Sequence, residues 1–305
     1  MIESGSHVPG VDAAAFGLPP YSALRIELPS PALSPFFADY HVVDSEGPAA
    51  DGAETWMLPA WPAIRIILTD RPISLRLGRR TYDPLPIASL YGTTSRAMRM
   101  TTHGGVTVGI GIKPLGWARF FTAKADLFHD QVVPLSRVME PRFVDELVEA
   151  LRESDQGPAV KPLLDAFFER LCGPPHPDEP LVRQLSTLIA DDETHDLATA
   201  CERIGIPATA LRRLSARYFG FPPKMLLIRT RFLRSLLRMM AEGDDLDYGL
   251  IGPTYHDASH FLRDSDRFLG MTPKRFARID NHYLKAILRA RTVVARAARA
   301  NGVAR

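Results

Sequence analysis

Seventeen residues near the C-terminal end of this 305-residue chain are written twice: ATALRRLSARYFGFPPK at 208–224 returns fifty residues later as ASHFLRDSDRFLGMTPK at 258–274. Seven positions are identical: Ala208/Ala258, Arg213/Arg263, Ser215/Ser265, Arg217/Arg267, Gly220/Gly270, Pro223/Pro273 and Lys224/Lys274. Others keep their character, such as Leu211/Phe261 and Tyr218/Phe268. A supersecondary unit used twice restricts the fold more than composition does, because both copies must find the same local packing.

The first copy reads as helix, tight turn, helix. A helix over 181–190 is followed by one over 197–204 that ends at Gly205, a residue suited to a left-handed cap. Pro207 then opens the next helix, where its missing N–H is tolerated. In that helix Leu211, Leu214 and Tyr218 share the inner face, which leaves Thr209, Arg212, Arg213, Ala216 and Arg217 outside. The second copy runs from Leu246 to about Arg278, with Asp257 as N-cap of a helix over 258–269 that presents Ser259, His260, Arg263 and Arg267. Between the copies a helix over 223–240 forms a rigid spacer; Leu226, Phe232, Leu233, Leu236 and Leu237 pack, and Arg231, Arg234 and Arg238 take another face. A final basic helix over 281–300 adds Lys285, Arg289, Arg291, Arg296 and Arg299.

The formal net charge of +2 conceals a polarised chain. Residues 1–180 carry 16 Lys+Arg against 22 Asp+Glu, whereas 181–305 carry 21 against 13, with the division at the proline-rich segment 173–180. Such a split points to a polyanionic partner for the basic half, either nucleic acid or an anionic membrane. One arginine on a helix is ordinarily a solvated charge. Arginines at matching positions of two turn-preceded helices favour DNA, whose major groove admits a helix. No run of 18 apolar residues is present, and the opening MIESGSHVPG lacks both a basic start and an apolar stretch for export, so a cytoplasmic location without membrane contact is expected. Cys172 and Cys201 are far apart and form no CxxC pair, which suits reduced thiols near packed helices.

The N-terminal half reads differently. Short strands are expected at 23–27, 54–59, 63–69, 73–77, 87–92 and 106–112, with period-2 alternation clearest in 73–77 and 106–110 and with Gly, Pro and Asp between them. Strands this close together, without intervening helices, indicate an antiparallel sandwich or barrel. Helices follow over 115–128, around Phe143, Leu147 and Leu151, and over 160–171; they serve either as cover for the barrel or as a dimer contact.

With these elements assigned, the stretch LATACERIGIPATALRRLSARYFGFPPKMLLIRTRFLRSLLRMM, followed by YHDASHFLRDSDRFLGMTPKRFAR, resembles the DNA-binding domain of AraC/XylS-type bacterial transcription regulators over about residues 180–280. The most specific part is Asp257, Ser259, His260, Phe261 and Arg263 together with Gly270, Thr272, Pro273, Phe276 and Arg278. The resemblance implies a transcription regulator in which Thr209, Arg212, Arg213, Arg217 and Lys224, and Ser259, His260, Arg263, Arg267 and Lys274, meet double-stranded promoter DNA. The N-terminal third is similar to the cupin-like barrel fused to some members of that family. This implies a small-molecule effector or a homodimer acting through the barrel and, for an activator, a contact with RNA polymerase.

The chain also departs from the family pattern. Ser215 and Ser265 stand where an aromatic is usual, Asp264 and Asp266 add negative charge to the second recognition helix, and Gly252-Pro253-Thr254 replaces the usual helix end and glycine turn. An Asp facing phosphate opposes binding, so the second unit is expected to be the weaker reader.

The expected architecture is therefore α+β. An N-terminal antiparallel cupin-like β-barrel domain with covering helices (1–175) precedes an all-α domain of two helix-turn-helix units joined by a linker helix (180–280) and a basic C-terminal helix (281–305). Trp56, Trp61, Arg65, Tyr91 and Trp117 are the residues expected to line an effector pocket, the alternative being ordinary core or rim positions. The rival class is a cupin-like metal-dependent enzyme with an accessory nucleic-acid-binding domain. His41 and His103 form no H-x-H with a following Glu, and there is no G-x-S-x-G. HDASH (256–260) imitates a zinc-binding HExxH, but an N-cap at Asp257 leaves His256 off the helix. The sequence thus calls for no metal, no cofactor and no catalytic residue.

Overall fold

The computed structural model describes residues 1–191, 196–242, 246–252, 255 and 257–303; Pro253, Thr254 and His256 lie outside the described residues. Among the described residues ten strands form two antiparallel sheets. One has the order β1 (Ser22–Glu27), β2 (Phe37–Ser45), β9 (Gly105–Ile112), β4 (Ala63–Ile67), β7 (Ala88–Tyr91), β10 (Val132–Pro134). The other has the order β3 (Ala53–Met57), β8 (Met98–Thr102), β5 (Ser74–Leu77), β6 (Arg80–Tyr82). All six expected strands are present.

β2, the longest strand, escapes a periodicity search because seven of its nine residues are buried, on both faces. Its neighbour β9 explains why the sheets enclose space. Val108, Ile110 and Ile112 bury into the main core, while the alternate positions on the opposite face are Gly105, Thr107, Gly109 and Gly111. The alternation therefore separates large side chains from small or absent ones, and the second face lines an internal cavity.

Helices α1 (Pro114–Phe120), α2 (Pro141–Glu153) and α3 (Val160–Leu171) cover the six-stranded sheet. Leu147 and Leu151 of α2 and Leu164 and Phe168 of α3 are fully enclosed, and Phe168 meets Phe37 of β2 with ring centroids 4.5 Å apart. Both apolar stripes are thus spent on the chain's own core. The single helix expected over 115–128 is α1 followed by a separate 3-10 turn at Ala125–Leu127, because Phe121 turns extended after α1.

The C-terminal half contains α4 (Glu179–Ala190), α5 (Leu197–Ile204), α6 (Ala208–Phe219), α7 (Pro223–Glu242), α8 (Ala258–Leu269), α9 (Pro273–Ala277) and α10 (His282–Ala300). The segment 173–180 marks a change of secondary structure but not an independent core. One apolar cluster runs from the sheet through α1–α3 into Val182, Leu185, Leu211, Tyr218 and Leu226. Arg119 of α1 binds Glu179 of α4 through two bonds, Nε–Oε1 at 2.6 Å and Nη2–Oε2 at 2.7 Å. Further along, the Ala97 N–H donates to the Phe268 carbonyl at 2.7 Å.

The C-terminal helix does not extend the basic half. α10 returns to the N-terminal domain, where Ala290, Val294 and Ala298 pack with Phe16, Leu24 and Ile26. Its cap residue Asn281 accepts from Thr55 at 2.8 Å and donates to the Trp56 carbonyl at 3.1 Å, and Ser22 donates to Tyr283 at 3.1 Å. This changes the meaning of the charge split. Residues 281–305 hold six Lys+Arg and no Asp or Glu, so 181–280 carry only 15 Lys+Arg against 13 Asp+Glu.

Candidate nucleic-acid interface and internal cavity

The repeat survives folding as a repeat of hydrogen bonds. α6 ends at Gly220 (φ 82°) and α8 at Gly270 (φ 72°), the left-handed region where glycine avoids a Cβ clash, and the two glycine N–H groups donate to Ala216 and Asp266. In the first copy Ser215 Oγ donates to the Phe221 carbonyl at 2.6 Å; in the second Ser265 Oγ donates to the Met271 carbonyl at 2.7 Å. Both serines are fully buried. Each hydroxyl closes the turn that its helix runs into.

α6 buries Leu211, Leu214, Tyr218 and Phe219 and leaves Thr209, Arg212, Arg213 and Arg217 exposed. Asp196 caps α5 through the Thr199 N–H, and Gly205 (φ 77°) makes the turn. Among the described residues of the second unit, a 3-10 turn, Tyr248–Leu250, stands where the first unit has the helix α5. Asp257 caps α8 through the His260 N–H at 2.7 Å, as the sequence indicated. Ser259, Arg263 and Arg267 are exposed on α8. Lys224 is exposed at the start of α7, and Lys274 on α9 lies 5.2 Å from the Tyr248 ring centroid.

Two residues of the second helix are turned inward. Asp264 is buried, accepting from Tyr255 OH at 2.8 Å and from Arg231 of α7 at 3.1 Å, so it does not confront phosphate. His260 is half-buried, its ring 5.0 Å from that of Tyr255 and its Nε2 3.2 Å from Arg231. Of the two acidic residues noted in the sequence, only Asp266 remains exposed.

α7 carries a side chain that the sequence reading passed over. Arg229 is 2 % exposed and donates through Nη1 to the carbonyls of Ala60 (3.1 Å) and Thr94 (3.0 Å), with its guanidinium 4.3 Å from the Trp61 ring centroid. Burial pulls this guanidinium down to about 10. The only signal in the sequence was an Arg between the apolar positions Leu226 and Phe232.

Between the two sheets lies a cavity of ≈ 410 Å³, within the usual range for small-molecule sites. Trp56, Trp61, Arg65 and Tyr91 are among the residues that line it. Trp117 does not: it is 1 % exposed, its indole N–H donates to the Ala123 carbonyl at 2.8 Å, and it packs on Phe121 and Phe128. Of the two alternatives for Trp117, pocket wall or ordinary core or rim position, it takes the core one. Met57, Met98 and Met100 add apolar wall, and α7 and α10 close one side through Leu233, Leu237, Leu284, Ile287 and Leu288.

The polar end of the cavity contains Asp39, His41, Arg65, Lys113 and Arg291. His41 Nδ1 lies 3.0 Å from Asp39 Oδ1, and Arg291 of α10 holds the same carboxylate through Nε at 2.9 Å and Nη2 at 3.2 Å. Burial alone would raise the Asp39 carboxyl, but the Arg291 charge and the His41 bond outweigh it and hold Asp39 well below the usual carboxylate range. Burial lowers His41, against the pull of Asp39 and with the help of Arg65 and Arg291. Burial also lowers the Arg65 guanidinium, whose nearest groups are Met57 Sδ at 3.3 Å and the Tyr91 ring at 5.2 Å. His41 and His103 are not brought together, since His103 pairs with Asp51 on an exposed loop. Among the described residues no group of three or more His, Cys, Asp or Glu is placed to hold a metal, and no helix is long and apolar enough to cross a membrane.

No protein-family model and no curated protein sequence matches the chain. Among solved structures it is similar to unsaturated fatty acid-bound ToxT from Vibrio cholerae, with 13% identity and a TM-score of 0.44 over 79% of this chain and 95% of that one. ToxT bound to (E)-4-(8-methylnaphthalen-1-yl)but-3-enoic acid gives 13% identity and a TM-score of 0.43, covering 74% of this chain and 94% of that one. The AraC-like transcriptional activator CuxR gives 12% and 0.23, covering 70% of this chain and 86% of that one.

Proposed function

We propose that this chain is a cytoplasmic, sequence-specific DNA-binding transcription regulator of the AraC/XylS type whose N-terminal domain takes a small-molecule effector. The observation that carries the reading is the repeated structural unit. Two helices end in the same left-handed glycine and serine-closed turn, and each presents arginines outward at equivalent positions. Thr209, Arg212 and Arg213 of α6 and Ser259 and Arg263 of α8 read bases or grip phosphates; Arg217, Lys224, Arg267 and Lys274 supply flanking phosphate contacts. The cavity supports the effector part, because its walls include the helix that links the two units and the helix that follows the second. ToxT has been seen with an unsaturated fatty acid bound, and an effector with a large apolar part suits the walls of this cavity too.

The net charge of only +2 over residues 181–280 means that affinity depends on where the cations sit. Fluorescence anisotropy with a duplex from upstream of the chain's own gene, against a shuffled duplex of equal length, tests the reading. Affinity for the specific duplex should fall about a hundredfold or more between roughly 50 and 200 mM salt, as several phosphates are neutralised together. A flat salt response on both duplexes would refute DNA binding.

A further inference from the structure

Six arginines fall within residues 71–99 of the acidic half, against one carboxylate there, Asp83. Two are tied to backbone: Arg71 Nη1 donates to the His103 carbonyl at 2.8 Å, and Arg80 Nη1 donates to that of Asp130. The other four gather on the outward side of the four-stranded sheet. Leu75 and Leu77 of β5 and Met98 of β8 are buried on its inner face, so Arg76 and Arg99, at alternate positions, point away from it. These two are also register partners across β5 and β8. Arg79 sits in the two-residue turn between β5 and β6, and a Cβ at its neighbour Gly78 would lie 3.5 Å from Arg96 Cδ. Like charges directly opposite on paired strands destabilise a sheet. Among the described residues one carboxylate pairs with any of the four, Glu54 at 3.4 Å from Arg99.

This cluster adjoins the second helix-turn-helix unit at two places. The Ala97 N–H bonded to the Phe268 carbonyl brings Arg96 up to the C-terminal end of α8, where Arg267 is also exposed. Trp56 of β3, the register partner of Arg99, meets Phe276 of α9 edge-on with ring centroids 6.1 Å apart, and Arg275 and Arg278 beside Phe276 are exposed. Arginines thus run from the outer faces of α8 and α9 onto the sheet of the N-terminal domain.

On the reading of the chain as a DNA-binding protein, we propose that this sheet face is a further DNA-contacting surface, on which Arg76, Arg79, Arg96 and Arg99 grip phosphates beyond the site that α8 reads. Neighbouring strands lie about 4.8 Å apart, and one strand of a duplex carries a phosphate about every 3.4 Å of axis. Paired arginines therefore fall within one or two phosphate steps. Bound phosphates relieve the repulsion between Arg76 and Arg99, which the free sheet has to bear. Continuity with α8 selects DNA among polyanions, because a duplex seated against Arg263 and Arg267 runs on past Arg96. The contacts carry no base information. They supply cations to an interface whose own segment, 181–280, has a net charge of only +2.

The test uses the full chain with the duplex from upstream of its own gene and the shuffled duplex of equal length, read by anisotropy across a salt series. Arg76→Gln combined with Arg96→Gln should weaken both duplexes alike, about tenfold at roughly 50 mM salt, and make the slope of log affinity against log salt shallower by about 2. The ratio of specific to shuffled affinity should stay as it was. Arg142→Gln combined with Arg152→Gln changes two exposed arginines of α2, over the other sheet, and removes the same net charge. That control should leave the slope unchanged. In urea unfolding Arg76→Gln should match or exceed the unaltered chain, because a like-charge pair is relieved. Hydroxyl-radical footprinting should show backbone protection past the second unit's site, present with the unaltered chain and lost with the double variant. A slope equal to that of the α2 control overturns the surface, and a changed specificity ratio overturns the phosphate role. A lower urea midpoint with unchanged affinity makes these arginines structural and overturns it as well. If the unaltered chain binds neither duplex, the DNA-binding reading fails and the proposal with it; if it binds and the double variant binds equally well, that reading stands and the proposal alone falls.

Discussion

At position 214 the first copy of the repeat has leucine and at 264 the second has aspartate, yet both residues are buried to the same degree, 8 % exposed. Fifty residues apart in the same way, Gly205 makes the first unit's turn and Tyr255 occupies the matching place in the second. The two substitutions belong together. Tyr255 OH and Arg231 converge on Asp264, replacing an apolar contact and a bare turn with a buried polar triad. The first copy joins a core continuous with the N-terminal sheet, whereas the second has a smaller cluster around Phe232, Phe261 and Phe268. Identical surface-forming positions can thus be kept while the layer beneath them changes from packing to hydrogen bonding.

The largest expected effect comes from breaking that triad. Asp264→Ala leaves the Arg231 guanidinium and the Tyr255 hydroxyl without their shared acceptor, and should cost about 2 to 3 kcal/mol in urea unfolding, below the full range for a buried pair because Arg231 is partly exposed. Asp264→Leu, which copies the first unit, should be nearly as harmful alone and should recover when combined with Arg231→Met. If the double variant is no better than Asp264→Leu, the two copies differ for a reason other than this network.

Much of this arrangement was readable in the sequence, and the failures have physical causes. Helix bounds at 160–171, 197–204 and 258–269 followed from apolar spacing and caps, because amphipathic helices and their Asp, Gly and Pro punctuation are local properties. β2 was missed because a strand covered on both faces loses its period, and Asp39, His41 and Asp44 interrupt its apolar run. Composition correctly marked the C-terminal half as basic, but it could not say that α10 packs its apolar face on the other domain and holds Asp39 there through Arg291. Trp117, named for the pocket wall, is core, and Arg229, which the sequence reading passed over, is enclosed against Ala60, Thr94 and Trp61. The second outcome depends on contacts more than a hundred residues away in sequence. The serine pair was visible as an identity, but its purpose became clear only from where each hydroxyl points.

A second comparison concerns DNA. Asp264 no longer argues against the second helix as a reader, since it is turned inward, but His260 is drawn toward Arg231 and Asp266 remains on the exposed side. Arg213→Ala should therefore cost about 2 kcal/mol on the specific duplex and Arg263→Ala about 1 or less, both measured by anisotropy at one salt concentration. Asp266→Asn should tighten binding by a few tenths of a kcal/mol to about 1 as a repulsion is removed. Equal losses at Arg213 and Arg263 would make the two units equivalent readers despite their different interiors. A loss at Arg213 that is the same on specific and shuffled duplexes would reduce it to a phosphate contact.

The smallest effects should come from the feature that the copies share most closely. Ser215→Ala and Ser265→Ala each remove one hydroxyl-to-carbonyl bond across six residues. If the turns were merely similar in shape, either change would be close to silent, because the glycine cap would still set the backbone. If the hydroxyl holds the turn closed, each variant leaves a carbonyl without its donor, at about 1 to 1.5 kcal/mol. Phe221 is buried and Met271 half-buried, so water can reach the second carbonyl more easily than the first. Ser215→Ala should accordingly be the costlier change by a few tenths of a kcal/mol in the same urea titrations. The reverse order would mean that the second unit, whose first helix has shrunk to a 3-10 turn, depends on its serine for order that α5 supplies to the first.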